Sequence, residues 1–168
     1  MTTSDIDIGL STRFREAFRC YPTGVALIAA AGPDGPAGLT ASSVSSVSVA
    51  PPALSFSVMG SPSARVVTDA SAFVVHLLGP AHAAVARDFA RPGAPRFTPE
   101  QGWDTLPTGE PLLRGAQAAL RCRPLHLLPV GTSTVVVAEV VDISLGPDGD
   151  RLIHHDRTFS TVTAPKGH

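Results

Sequence analysis

Residues 38–52, Gly-Leu-Thr-Ala-Ser-Ser-Val-Ser-Ser-Val-Ser-Val-Ala-Pro-Pro, constrain this chain more than any other stretch. From Val44 to Val49, Val44, Ser46 and Ser48 fall on one face and Ser45, Val47 and Val49 on the other, the period-2 pattern of a strand that follows a loop. Pro51 and Pro52 have no N–H and must end that strand's ladder. Small residues let a ligand approach the backbone closely. Serine and threonine hydroxyls, with free N–H groups, suit an anionic or amide-rich ligand. By composition alone the same residues make an ordinary serine-rich loop and edge strand.

On either side, short apolar runs are cut by proline and glycine. Phe14, Ala17, Phe18 and Tyr21 fall at i, i+3, i+4 and i+7, one helical face that Pro22 stops. Residues 25–31 are an apolar run of strand length, and Gly32-Pro33-Asp34-Gly35-Pro36 is a turn. Residues 53–59 alternate again, and Ser63 is placed to cap a short helix through Asp69. Residues 73–78 predict a strand, and 82–90 a helix with Val85, Ala86 and Phe89 on one face. Residues 91–111 form a long, irregular excursion anchored by Phe97 and Trp103, of a length that serves function or a lid. Two long strands at 115–128 and 134–145 and two short ones at 152–154 and 158–162 complete the chain. About seven strands and three short helices predict a mainly β (α+β) domain, an antiparallel barrel or closed sheet with helices at its ends. Residues 1–10 read as a flexible polar arm and 11–168 as one domain.

A net charge of −1 gives nucleic acid or an anionic membrane nothing to hold. No apolar run approaches the ~20 residues of a membrane-crossing helix. Residues 1–9 lack the basic and apolar regions of a secretory signal. Cys20 and Cys122 form no disulfide framework and are expected as reduced thiols in a cytoplasmic protein. There is no nucleophile elbow, phosphate-binding loop or dinucleotide fingerprint. In His154-His155-Asp156 the two histidines would point to opposite faces of a strand, so no metal site is expected. His76 and His82 are expected as hydrogen-bonded residues, and Cys122 as a small core residue. A ligand cradle without acid–base machinery fits a protein whose cofactor carries the redox chemistry.

A series of short motifs extends this reading. They are Phe14-Arg15-Glu16-Ala17-Phe18, Pro22-Thr23-Gly24-Val25, Gly38-Leu39-Thr40-Ala41-Ser42-Ser43, Ser46-Val47-Ser48 and Pro51-Pro52. Phe56-Ser57-Val58, Ser61, Ser63, Phe73-Val74-Val75, Phe89-Ala90, Arg96-Phe97, Trp103, Gly109-Glu110-Pro111-Leu112-Leu113 and Cys122 follow. In this order and spacing the chain resembles the flavin reductase-like, FMN-binding split-barrel family, which includes the small reductase components of two-component monooxygenases. The resemblance implies an antiparallel split β-barrel with short flanking helices. It implies FMN or FAD as cofactor, NADH or NADPH as reductant, a homodimer, and a monooxygenase that receives reduced flavin. By the same resemblance Thr40, Ala41, Ser42, Ser43, Val44 and Ser46 line the flavin ring and ribityl chain. Ser57, Ser61, Ser63 and Arg65 lie by the phosphate, and Arg96 and Phe97 reach the flavin from the excursion. Pro22, Thr23, Ser133 and His154 border the nicotinamide. Loop N–H groups facing ring carbonyls, and an arginine paired with phosphate, are the contacts such a ligand needs.

Three positions depart from the family pattern. His76 stands where the family commonly has Asn, and His82 where Gln is common. Gly131-Thr132-Ser133 replaces a Gly-Asp-His whose histidine the family associates with the reducing nicotinamide. That departure keeps two alternatives in view. One is a flavin enzyme of the same fold acting directly on a small organic, biosynthetic substrate; the other is a non-catalytic flavin-binding protein.

Overall fold

Residues 25–30 are buried without interruption because both faces of their strand are covered. A computed structural model describes residues 3–165. It opens with helix α1 (Thr3–Arg19), the two-residue β1 (Thr23–Gly24) and β2 (Ala26–Gly32). β3 (Gly35–Ala41), β4 (Ser45–Val49), β5 (Pro52–Met59), α2 (Pro62–Asp69), β6 (Phe73–Leu77) and α3 (Ala83–Ala90) follow. The excursion holds a small hairpin, β7 (Trp103–Thr105) and β8 (Pro111–Leu113). The long hairpin β9 (Ala118–Val130) and β10 (Ser133–Leu145) leads to β11 (Arg151–His155) and β12 (Thr158–Val162).

Seven strands form one sheet in the order β3-β2-β6-β9-β10-β5-β4, antiparallel throughout. Its two edges are β3 and β4, yet only Ser42, Ser43 and Val44 separate them in sequence. Laid flat, the edges would stand about 29 Å apart. The four residue steps from Ala41 to Ser45 reach at most about 14 Å. The sheet must therefore curl until its edges meet at this loop. The edges are not hydrogen-bonded to each other, so the barrel has a seam, as the split-barrel resemblance implies.

Alternation along β2 divides the interior. Ala26, Ile28 and Ala30 face the barrel core with Phe56, Phe73 and Val136. The Phe56 and Phe73 rings meet edge to face at 5.5 Å. Leu27 and Ala29 face a second core under α3 and the excursion, with Val85, Phe89 and Leu113. Cys122 belongs to the barrel core, where burial pushes its thiol up to about 12. A separate three-stranded sheet, β1-β11-β12, flanks one end.

Three expectations change. Residues 3–10 of the expected arm are helical, within Thr3–Arg19, and the arm's residues 1 and 2 lie outside the described residues. Leu10 continues the Phe14, Phe18 stripe one turn back, a periodicity that starts before the first aromatic. Ser61, not Ser63, caps α2, accepting from Ala64 N–H at 3.1 Å. Pro62 takes the first helical position, where its missing N–H costs nothing. The described residues carry twelve strands, more than about seven: β1, β7 and β8 are too short to show a period, and the glycines and proline of β3 hide its period.

Candidate functional site

The strand leading into the seam loop is crowded. A Cβ at Gly38 would come within 2.9 Å of both the Ile28 carbonyl oxygen and the Phe89 ring. Two residues on, Thr40 Oγ1 donates to the Ala86 carbonyl at 2.7 Å and ties β3 to α3. Ala41 is buried opposite Ala26. Ser42, Ser43 and Val44 then lie outside both ladders, and their N–H groups have no partner among the described residues. Ser43 gives the loop its side-chain hydrogen bonds, its Oγ accepting from Ser57 N–H at 2.9 Å and donating to Ser57 C=O at 3.3 Å, while Val44 packs against the barrel core. Ser46 is exposed on β4 opposite Leu54.

From Ser57, β5 runs into α2. Ser61 caps that helix, and Ser63 Oγ accepts from Arg96 Nη1 at 3.0 Å. Arg65 is exposed and makes no ion pair among the described residues. Ser133 pairs with Met59, which brings the start of β10 to this same end of β5.

On its other side the loop borders a cavity of about 630 Å³. Val44, Ala26, Leu78, Ala118 and Leu152 supply apolar lining, and Asp148 and Arg151, paired at 2.9 Å, supply charge. Thr23 and His154 face each other across β1 and β11, each one step from a lining residue, with Pro22 just before them. Thr23 Oγ1 is buried with no hydrogen-bond partner, an atom that a ligand would satisfy. The His154 ring lies 5.5 Å from Phe159.

Arg96 and Phe97 are placed differently from the rest. Arg96 Nη1 donates to Gly38 C=O and Ser63 Oγ, and Nη2 to Phe89 C=O and Arg91 C=O. Both terminal nitrogens therefore brace the excursion against β3, α2 and α3. Phe97, at a positive φ of 57°, packs on Phe89 at 5.0 Å and Trp103 at 4.6 Å. It lines a second cavity of about 340 Å³ by the β2–β3 turn, whose walls share no residue with the seam loop.

The two histidine departures are structural. Leu113 N–H donates to His76 Nε2 at 3.0 Å, so the ring proton is on Nδ1 and goes to Leu27 C=O at 3.0 Å. Burial drives this imidazole down to about 4, against the raising effect of the Leu27 bond and with His82 lowering it further. His82 Nε2 donates to Arg114 C=O at 3.0 Å. Together they hold the end of β8.

Sequence reading missed the far wall of the larger cavity. Gln117 Nε2 donates to Asp150 C=O and holds the turn that carries Asp148. Gly146 in that turn admits no side chain: a Cβ would lie 1.8 Å from the Ala116 carbonyl oxygen. Only the glycine-rich turn itself signals this in sequence.

The cavity has the size of a cofactor site. On the loop's opposite side, three N–H groups with no partner among the described residues, open hydroxyls at Ser42 and Ser57, and Arg65 make a donor-rich edge, and Val44 alone of the loop reaches the cavity. Such an edge suits a flat heterocycle that carries carbonyls and a phosphate. Known proteins agree with this chemistry. A family model described as a flavin reductase like domain matches residues 18–163. An NADH:FMN oxidoreductase of Rhodococcus qingshengii is 36% identical over 155 residues, spanning 89% of this chain and 81% of its own. A flavin reductase domain protein from Arthrobacter sp. FB24 superposes with a TM-score of 0.86 at 31% identity, covering 94% of this chain and 98% of its own. The styrene monooxygenase flavin reductase of Pseudomonas putida S12 gives a TM-score of 0.79 at 26% identity, covering 90% and 99%.

Proposed function

The chain belongs to the flavin reductase-like domain family, and on that premise we propose that it is an NADH-dependent FMN reductase that hands reduced flavin to a partner monooxygenase. The observation that carries this reading is the seam loop, whose unpaired N–H groups stand between an arginine-bearing helix start and a cofactor-sized cavity. Flavin, when bound, supplies the hydride-accepting ring that no side chain here provides. The chain's part is to hold and orient. The N–H groups of Ser42, Ser43 and Val44 would meet ring acceptors. Ser57, Ser61, Ser63 and Arg65 would hold the phosphate, and Pro22, Thr23, Ser133 and His154 would border the reductant. FMN and NADH are chosen because the Rhodococcus relative is named for them.

The same proposal includes a homodimer. Leu10, Phe14, Phe18 and Tyr21 form a stripe along and just past α1 that is 58–64% exposed, with the Phe14 and Phe18 rings 4.7 Å apart. Leu125, Leu127, Leu128 and Val130 expose a second apolar surface at the far end of β9. A second copy of the chain would cover such surfaces. Light scattering should give twice the 17.3 kDa chain mass. For the activity, NADH absorbance is followed with and without added FMN. FMN-dependent loss of NADH is expected. A protein that quenches FMN fluorescence but consumes no NADH would overturn the reductase reading.

A further inference from the structure

Hydroxyl protons divide the serines of the site into two kinds. A hydroxyl has one proton to donate. Thr40 gives its proton to Ala86 C=O. Ser43 gives its proton to Ser57 C=O while accepting from Ser57 N–H. Neither has a proton left for a ligand's oxygen or ring nitrogen. Ser61 and Ser63 only accept, from Ala64 N–H and Arg96 Nη1, so each keeps its proton.

Register explains the Ser43 contact. β4 pairs with β5 from Ser45 opposite Ser55. Counting on by two on each strand places Ser43 opposite Ser57 at the next rung. The backbone has left the ladder there, and the Ser43 side chain supplies both bonds in its place. This side chain fastens the seam loop to β5.

Resting on the flavin reading above, we propose that Ser43 is a positioning residue: its hydroxyl clasps the seam to β5 and thereby aims the N–H groups of residues 42–44 at the ligand, without touching it. The ligand's contacts in the loop are then backbone N–H groups and the Ser42 hydroxyl. Loss of the clasp leaves those donors present but unaimed, so binding must order the loop as well.

The test compares wild type, Ser43→Ala and Ser43→Thr by FMN titration and by hydrogen exchange of the Ser57 amide in ligand-free protein. Threonine keeps the hydroxyl, and Ser43 is exposed enough to accept a methyl group. Ser43→Ala should weaken FMN by about tenfold, roughly 1.4 kcal/mol, and speed exchange at Ser57. Ser43→Thr should restore both. Unchanged affinity in Ser43→Ala, with wild type binding FMN, overturns the proposal. Weakened affinity with unchanged Ser57 exchange also overturns it, because Ser43 would then be a ligand contact. A wild type that binds no FMN defeats the functional reading instead. In that case the clasp is still judged by ligand-free exchange: faster exchange in Ser43→Ala alone supports it, and equal exchange refutes it.

Discussion

The two irregular segments of this barrel are held in opposite ways. The excursion at 91–111 looks free in sequence but is fastened along its length. Arg96 braces its start through four acceptors. Gln101 Nε2 donates to Asp88 Oδ2 at 3.1 Å, and its Oε1 accepts from Trp103 Nε1 at 3.2 Å. Glu110, buried at its end, accepts from Arg121 Nη2 at 2.8 Å. The seam loop is three residues long and, among the described residues, Ser43 is the one side chain that hydrogen-bonds it to the sheet. Loop length therefore does not measure freedom to serve a ligand. Backbone groups already paired are committed to the fold, whereas unpaired groups at a fixed place are open to a ligand. On the proposed reading the excursion is a wall and the short seam is the binding element.

Removing the wall's main brace should have the largest effect. Arg96→Ala should cost about 4 kcal/mol of stability, the scale of losing several charge-assisted bonds at one partly buried group. Urea denaturation measures it. FMN affinity of the folded variant should change by less than about threefold, roughly 0.7 kcal/mol. A variant of normal stability that loses FMN would make Arg96 a ligand residue and erase the contrast.

Acid should loosen the same wall. The unfolded His76 imidazole takes a proton near the ordinary 6.5, but the folded one only near 4. Between these values the unfolded state binds more protons, so stability falls as pH falls, by roughly 3 kcal/mol over the window. Burial would raise the Glu110 carboxyl, but its bonds from Arg121 and Thr108 hold it below the usual range, so its loss adds in the same direction at lower pH. Denaturation curves from pH 7 down to pH 4 check this. His76→Gln should flatten the slope; an unchanged slope would place the titration elsewhere.

On the binding side, Arg65→Ala should weaken FMN by about 10- to 100-fold, the scale of one charge-assisted contact to phosphate. Riboflavin, which lacks the phosphate, should be affected by less than about twofold, under 0.5 kcal/mol. Equal losses for both ligands would move Arg65 away from the phosphate. The smallest effect is kinetic. Thr132→Asp with Ser133→His should speed reduction of bound FMN by NADH about fivefold in stopped flow. Equal rates with a fast wild type would make the Ser133 departure neutral.

Much of the fold could be read from local pattern. Alternation at 44–49, the double proline and the Gly-Pro turns mark strands and their ends, and the ordered motifs point to a split barrel. What escaped depends on partners distant in sequence. Nothing near Ser43 says that its proton goes to Ser57, and nothing near Arg96 says that it turns inward to Gly38. Thr40, Ala41, Ser42, Ser43 and Val44 form one contiguous stretch in the sequence, but their hydrogen bonding divides them in a way that only the folded sheet creates. Gln117 and Arg151 went unnoticed for the same reason: the cavity they border joins the starts of β2 and β9 to the turn after β10.

The most direct measurement follows backbone amide signals of isotope-labelled protein by NMR during titration with FMN. The amides of Ser42, Ser43 and Val44 should shift most, with that of Arg65 following, while the Trp103 indole N–H stays in place. Shifts concentrated at Phe97 and Trp103, with residues 42–44 unmoved, would contradict the assignment of the seam as the flavin-binding element.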